Sequence, residues 1–225
     1  MRKLLLPFLL LNSVGALRAV TYIYDTDGTV SGVITEGTTS WNGSNAVWNS
    51  GSSLIAWPGL NTDTAVFGGG TAGGGAGTAG TVTVGSVLTN GITFNTPNAG
   101  SYTLSGGTIT LDGTSPTLTV NSSTAAISSV LAGTVGMTKA GAGTLTLSGG
   151  SANLLTGVTL VNAGTLTLGK TAGVDALADD LFPGMTTLMT RAKYFVLVPR
   201  MIQEFIRKRP PGARAAEYLR AQENE

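Results

Sequence analysis

The 225-residue chain contains neither cysteine nor histidine, and these two absences exclude most of the chemistry that enzymes use. Without histidine, the chain lacks the commonest general base, the commonest metal ligand and the usual pH-sensitive side chain. Without cysteine, it has no disulfides, thiolate nucleophiles or zinc ribbons. Ser-His-Asp catalysis, Cys-His catalysis and most transition-metal sites are therefore excluded, which leaves carboxylate, lysine or tyrosine chemistry.

Charged and aromatic residues are also scarce, at 11% and 6% of the chain, and the formal net charge is +1. Apolar residues make up 42% of the chain, and there are 33 glycines. This apolar fraction is too high for an ordinary disordered segment. It is distributed in short runs of valine, isoleucine and leucine, a pattern typical of many short strands.

Residues 1–19 are interpreted as a secretory signal peptide. Arg2 and Lys3 supply the positive start, and Leu4 to Leu11 form a short apolar core. Pro7 argues against the alternative, a buried N-terminal helix. The core is far shorter than the ~20 residues of a membrane-spanning helix, and no later segment qualifies, so we expect no span in the mature chain. Export without cysteine predicts a bacterial protein of the cell surface, the outer membrane or the extracellular medium.

A repeated Gly-Thr-Leu-Thr-Leu sequence is the most informative feature of the chain. One copy begins at Gly143 and the other at Gly164. Because successive side chains of a strand point to opposite faces, Leu145 and Leu147 share one face and the threonines share the other. A repeat of about this length with one aliphatic face is typical of a stacked solenoid.

Other alternating segments predict further strands between residues 81 and 168. The predicted strands are Thr81–Val84, Gly91–Phe94, Tyr102–Leu104, Thr108–Leu111, Thr117–Val120, Thr144–Leu147, Val158–Val161 and Thr165–Leu168. The predicted inward side chains are Val82, Val84, Ile92, Phe94, Ile109, Leu111, Leu118, Val120, Leu145, Leu147, Leu166 and Leu168. Rungs of roughly 22 residues predict about six or seven coils. A β-sandwich is the rival architecture, but a sandwich has no reason to repeat its sequence.

The three tryptophans, Trp41, Trp48 and Trp57, all lie in the Gly-, Ser- and Asn-rich region 26–64. One interpretation is an aromatic platform for glycans. The other is a cap over the open end of the solenoid, where the first rung would otherwise expose apolar surface. Solenoids need atypical terminal units, which favours the cap.

Two glycine- or aspartate-containing motifs fail their structural requirements. The Gly75–Gly80 segment has the letters of a dinucleotide-binding fingerprint, but it follows a low-complexity glycine run and leads into a strand instead of a helix. The segment Asp25–Gly28 resembles the start of a calcium loop, and Glu36 occupies the twelfth position. The third ligand and the glycine at the sixth position are missing. We therefore expect no catalytic residues, no cofactor and no metal ligands.

A carboxylate-based carbohydrate-active β-helix enzyme is the alternative function. It would require two of the six acidic residues between Val20 and Asp175 to lie ~5–9.5 Å apart in a groove. Asp25 and Asp27 are the only pair that is close in sequence.

Composition changes abruptly near Lys170, which predicts a domain boundary between 20–172 and 173–225. From Ala176 onward there are six acidic and eight basic residues, and only two glycines. Apolar residues Met201, Ile202, Phe205 and Ile206 recur at helical spacing, so the tail is predicted to be helical. The tail also contains a basic cluster, formed by Arg191, Lys193, Arg200 and Arg207–Arg209. Because Glu204 lies within the same segment, we interpret the cluster as a solvated helix face and expect no nucleic-acid partner.

The segments Val130–Gly149 and Thr156–Gly169 closely resemble the autotransporter-associated β-strand repeat. Upstream, Gly91–Asn95 and Tyr102–Leu111 are similar to the same passenger proteins, so the resemblance covers residues about 40–169. It implies an all-β, right-handed parallel β-helix displayed on the bacterial surface, structural or adhesive, with no active site to transfer. Implied partners are glycans or neighbouring cell surfaces. Members of the family usually continue into a C-terminal barrel or sorting motif, and neither is recognisable in this sequence.

The tail resembles the opening region of an uncharacterised bacterial protein family that is cytoplasmic and has no assigned activity. The resemblance is carried by Asp175–Gly184, Thr190–Phe195 and Val198-Pro199, while Lys193 and Arg200 depart from the pattern. Our hypothesis is that residues 1–172 and 173–225 derive from different genes. The chain would then be chimeric or truncated, without a function of its own.

This hypothesis makes a prediction about the tryptic peptide Thr171–Arg191, which spans the compositional boundary. If an assembly error joined the two genes, mass spectrometry of the native source will detect peptides from both flanks and will not detect this one. Detection of the spanning peptide would rule out an assembly error and establish that recombination made a real fusion, whose tail would then need a function.

Overall fold

The computed structural model describes residues 19–30, 32–69, 76–121 and 123–177, together with the backbone of 195–197. These residues form strands and turns without a helix. Among them, no helix has the length and apolar character needed to cross a membrane. Residues 1–18 of the predicted signal peptide and most of the predicted helical tail lie outside the described residues.

Most of the strands are short, as the scattered apolar runs predicted. In chain order they are β1 (Thr21–Tyr24), β2 (Thr35–Glu36), β3 (Ser40–Trp41), β4 (Trp48–Asn49), β5 (Leu54–Ile55), β6 (Thr64–Phe67), β7 (Ala76–Gly77), β8 (Ala79–Thr89), β9 (Gly91–Phe94), β10 (Gly100–Leu111), β11 (Thr117–Val120), β12 (Thr124–Ile127), β13 (Val130–Gly133), β14 (Met137–Ala140), β15 (Thr144–Gly149), β16 (Leu154–Leu155), β17 (Thr159–Val161), β18 (Thr165–Lys170) and β19 (Phe195–Leu197).

Most strands pair in parallel with the strand one coil earlier, which produces a β-solenoid of about four turns. The first stack contains β6, β9, β11, β14 and β17. The second stack contains the first halves of β8 and β10, followed by β12, β15 and β18. The third stack contains the second halves of β8 and β10, followed by β13 and β16. This parallel connectivity excludes the β-sandwich.

The repeated sequence stacks on itself in register. Leu145 pairs with Leu166 and Leu147 pairs with Leu168, so the two Gly-Thr-Leu-Thr-Leu copies form adjacent rungs. All twelve side chains predicted to point inward are buried. The alternation of threonine and leucine therefore predicted the core of these coils.

Glycine allows β10 to pass from the second stack to the third. Gly106 has a φ of +103°, in the left-handed region that other residues rarely adopt. At Gly107, an added Cβ would collide with the carbonyl oxygen of Gly85 in the preceding coil. The coils approach so closely at this bend that a side chain has no room.

The prediction of six or seven coils is wrong, because the solenoid has about four turns. Strands β1, β2 and β3 still pair in parallel with β6, β7 and β8, but β4 and β5 interrupt this arrangement. Strand β4 pairs antiparallel with β1, and β5 pairs antiparallel with β4. The coils also differ in length along the chain. In the first stack, Thr64 pairs with Gly91, and this coil is longer than the later one that joins Thr117 to Thr138.

The three tryptophans lie in an aromatic cluster at this end of the solenoid. Trp41 and Trp48 are fully buried and Trp57 is 5% exposed. The rings of Trp48 and Trp57 lie 4.7 Å apart, and Phe67 of the first stack contacts both Trp41 and Trp48. The indole Nε1 of Trp57 donates a hydrogen bond to the carbonyl of Leu88. Buried rings cannot stack on a sugar from outside, so the cluster is a cap.

Residues beyond the predicted boundary at 172 continue the coil spacing. Leu177 is buried about one coil after the buried Leu155. The backbone N–H of Asn153 donates to the carbonyl of Asp175 (2.9 Å), and its Nδ2 donates to the carbonyl of Ala176 (2.8 Å). Strand β19 pairs antiparallel with β18. The position of the domain boundary stays a prediction.

The solenoid core is tested by replacing Leu145, which is fully buried and stacks between Ala125 and Leu166. We expect Leu145→Ala to lower the free energy of unfolding by about 2–5 kcal/mol, because a cavity remains where the side chain packed. The outward neighbour provides a control, and Thr146→Ala should cost about 1 kcal/mol or less. Urea denaturation measures both. Equal losses would contradict the assignment of the two faces.

Candidate interaction surface

The outward side of the second stack presents rows of hydroxyl groups. Thr144 pairs with Thr165 and Thr146 pairs with Thr167, so their side chains repeat from one coil to the next. Adjacent strands are about 4.8 Å apart, which sets the spacing of the rows. We call this surface the hydroxyl face; its residues are Thr81, Thr83, Thr103, Ser105, Thr124, Thr144, Thr146, Thr165 and Thr167. Each is exposed or half-buried.

The hydroxyl face carries no charge in its last two coils. No acidic or basic residue occurs between Lys139 and Lys170. A hydroxyl group both donates and accepts hydrogen bonds, and β-branched threonine keeps a stiff side chain. The face therefore offers closely spaced and ordered polar contacts to a neutral polar partner.

A second feature is an apolar corner on the last two coils, formed by Val135, Leu154, Val158 and Leu160. These side chains are 47–68% exposed. The two coils meet here, because the backbone N–H of Met137 donates to the carbonyl of Val158 at 3.1 Å. This corner was not predicted, because the alternation over residues 158–161 predicts a strand but does not indicate which of its side chains face outward.

The aspartates of the calcium-like motif are used in local hydrogen bonds. Asp25 is buried; its Oδ1 accepts from the N–H of Thr35 (3.0 Å) and its Oδ2 accepts from Nδ2 of Asn49 (3.3 Å). Asp27 accepts from the N–H and the hydroxyl of Thr29, and these bonds lower the pKa of its carboxyl. In the described part of the chain, no group of three or more Asp, Glu, His or Cys side chains could hold a metal ion.

Glu36 is a buried carboxylate that anchors a neighbouring loop. It is 3% exposed, and its two oxygens accept from the backbone N–H of Asn98 at 3.2 and 3.1 Å. Burial raises the pKa of the Glu36 carboxyl above its ordinary value. Burial and the nearby Glu36 charge also raise the pKa of Tyr102. These contacts indicate a structural role for Glu36.

Lys139 is a fully buried cation that was not predicted from the sequence. It occupies a core position of the first stack, where it pairs with Leu118 and Val161. Its Nζ donates to the carbonyls of Ala140 (2.6 Å), Gly141 (2.9 Å) and Ala163 (3.2 Å). Burial lowers its pKa. All three N–H donors have acceptors, so Lys139 joins two coils and has no donor left for a ligand.

Comparison with known proteins agrees with this geometry. The chain is 42% identical over 185 residues to the adhesin BmaC autotransporter of Brucella suis biovar 1 (strain 1330), and the match covers 80% of this chain. The resemblance to autotransporter passengers is confirmed. No family model matches the chain, and no solved structure matches it.

The match also indicates where the protein is located. An autotransporter relative places the chain among exported proteins of the bacterial cell surface or outer membrane, as the interpretation of residues 1–19 predicted. The chain spans only about 5% of the length of that relative.

The raised pKa of Glu36 predicts a pH dependence of stability. A carboxyl whose pKa is higher in the folded state favours folding below its unfolded pKa of about 4.3, and this contribution is lost as the pH rises through the folded pKa. We expect Glu36→Gln, which removes the charge and keeps an acceptor for Asn98, to be more stable relative to the wild type at pH 7 than at pH 4.

The measurement is urea denaturation of both proteins across this pH range. The difference between them isolates Glu36 from the other titrating groups. A variant whose stability relative to the wild type falls with rising pH would show that Glu36 stabilises the fold as an anion.

Proposed function

We propose that the chain is part of a non-enzymatic passenger that presents an adhesive or structural surface outside the bacterial cell. The observation that carries this proposal is the ordered hydroxyl face on a solenoid whose sequence matches an autotransporter adhesin over 80% of the chain. Glycans and neighbouring cell surfaces are the proposed partners. Nucleic acid is not, because the last two coils of the hydroxyl face supply no positive charge for phosphates.

The proposed mechanism is the addition of many weak contacts. One hydrogen bond with a sugar hydroxyl contributes little, because it replaces bonds that both partners make with water. Rows of hydroxyls held on successive coils allow one extended partner to bind at several points, and linked contacts strengthen one another through a high effective concentration. A regular and rigid scaffold makes such binding favourable, since few side chains lose freedom.

The carboxylate-based enzyme has less support. Asp25, Asp27 and Glu36 are engaged with Thr35, Thr29 and Asn98, respectively. A general acid or nucleophile must instead face a substrate. We therefore propose that the chain has no catalytic residues and no cofactor. We also propose the division into a signal peptide (1–19), a passenger (20–172) and a tail (173–225).

Binding by the hydroxyl face is tested with the whole chain on a glycan array and on cultured cells. We expect saturable binding, and we expect Thr146→Lys/Thr167→Lys to weaken it at least about tenfold by disrupting two adjacent rows. The control is Thr119→Lys/Thr138→Lys, which adds the same charge to outward positions of the first stack. Equal weakening by both variants would place binding elsewhere, and no binding by the wild type would leave only a spacer role.

A further inference from the structure

Three successive coils place polar groups at one corner of the solenoid, just before the first stack. Residues 61–63 precede β6, Asn90 precedes β9, and Gly113 precedes β11. The N–H of Asn90 donates to the carbonyl of Asp63 at 2.8 Å, so these two residues are direct neighbours in adjacent coils. We call Asn61, Thr62, Asp63 and Asn90 the corner cluster.

The corner cluster contains buried oxygen atoms without hydrogen-bond partners. Asp63 is fully buried; its Oδ2 accepts from the N–H of Leu60 at 3.1 Å, whereas its Oδ1 has no partner. The Oδ1 of Asn90 and the Oγ1 of Thr62 are likewise buried and unpartnered. A carboxylate oxygen and an amide oxygen only accept, so neither can satisfy the other. Leaving buried acceptors unsatisfied is costly, particularly for a charged group.

Gly113 shows that oxygens of two coils converge on one point. A Cβ added at Gly113 would collide with the Oδ1 of Asn90 and with the backbone carbonyl oxygen of Asn61. The backbone of Gly113 has a φ of +106°, which also favours glycine. The amide oxygen of Asn90 and the carbonyl oxygen of Asn61 therefore lie close together from adjacent coils, packed against the backbone of Gly113.

We propose that the corner cluster binds a calcium ion. Calcium prefers carboxylate, amide and backbone carbonyl oxygens and accepts irregular geometry, and the corner cluster offers this set of donors. The carboxylate of Asp63 supplies the negative charge. With one carboxylate among neutral oxygens, the affinity falls in the weak range of extracellular calcium modules, about 10⁻⁴–10⁻³ M. The ion joins coils that contribute residues 61–63 and Asn90.

This site differs from the calcium-like motif in the sequence. Asp25 and Asp27 have hydrogen-bond donors for their oxygens, whereas the corner cluster has acceptors that lack donors. The corner cluster also draws its oxygens from residues that are separated by a full coil. The proposal does not depend on the adhesive function, because it concerns the stability of the solenoid itself.

The test is thermal unfolding of the full chain, followed by circular dichroism, in EDTA, in calcium and in magnesium. At ten times the dissociation constant we expect calcium to raise the Tm by about 3–6 °C relative to EDTA. Magnesium should have a smaller effect, because it demands near-ideal octahedral geometry. Asp63→Asn keeps an acceptor for Leu60 and removes the charge, and it should abolish the rise. The control Asp27→Asn removes a carboxylate outside the corner cluster and should keep it.

Each variant is compared with itself with and without calcium, so a lower Tm in EDTA does not obscure the result. Asn90→Ala provides a second disruption from the neighbouring coil and should also abolish the rise. If calcium leaves the wild-type Tm unchanged, the acceptors are satisfied by water only and the proposal is wrong. A rise that persists in both Asp63→Asn and Asn90→Ala would place calcium elsewhere and would also overturn it.

Discussion

Parallel hydrogen bonding between successive coils is the constraint on which the whole structure depends. Each strand must find its partner about one coil earlier, and adjacent strands lie about 4.8 Å apart. A slip of one residue would exchange the inward and outward faces. The pairing of Leu145 with Leu166 keeps the core continuous, and the pairing of Thr144 with Thr165 keeps hydroxyls together outside. The core and the hydroxyl face are thus two results of one register.

The same constraint determines how polar groups are buried. Each coil must turn between its strands, and backbone groups at the turns cannot all join a strand ladder. Lys139 supplies donors to carbonyls of two coils, and Asn153 bonds Leu131 on one side and Ala176 on the other. Asp63 has the opposite arrangement, with an acceptor that lacks a donor. Buried polar side chains such as Lys139 and Asn153 therefore connect coils through hydrogen bonds, just as the aliphatic side chains connect them by packing.

The sequence predicted the solenoid best where alternation was strict. Leu145 and Leu166 were placed correctly because every second residue is apolar and the motif repeats. Strands β12 to β14 were missed because Ala125, Gly133 and Lys139 interrupt that alternation. The buried Lys139 could not be foreseen, since its three acceptors are backbone carbonyls that come together only when two coils stack. The alternation also placed Thr144 and Thr146 on the face opposite the leucines, which anticipated the hydroxyl face. It did not indicate the corner cluster, which combines residues about one coil apart.

The aromatic cap has a consequence for how unfolding can be observed. All three tryptophans of the chain lie in the cap, and the rungs from β8 to β18 contain none. Indole fluorescence therefore reports on one end of the solenoid, whereas the far-ultraviolet signal reports on every strand. In a stacked array each coil contacts only its neighbours, so cooperativity can fail along the axis. The three tryptophans thus act as a native fluorescent probe of one end of the solenoid. If the two ends unfold independently, the fluorescence and far-ultraviolet transitions will have different midpoints.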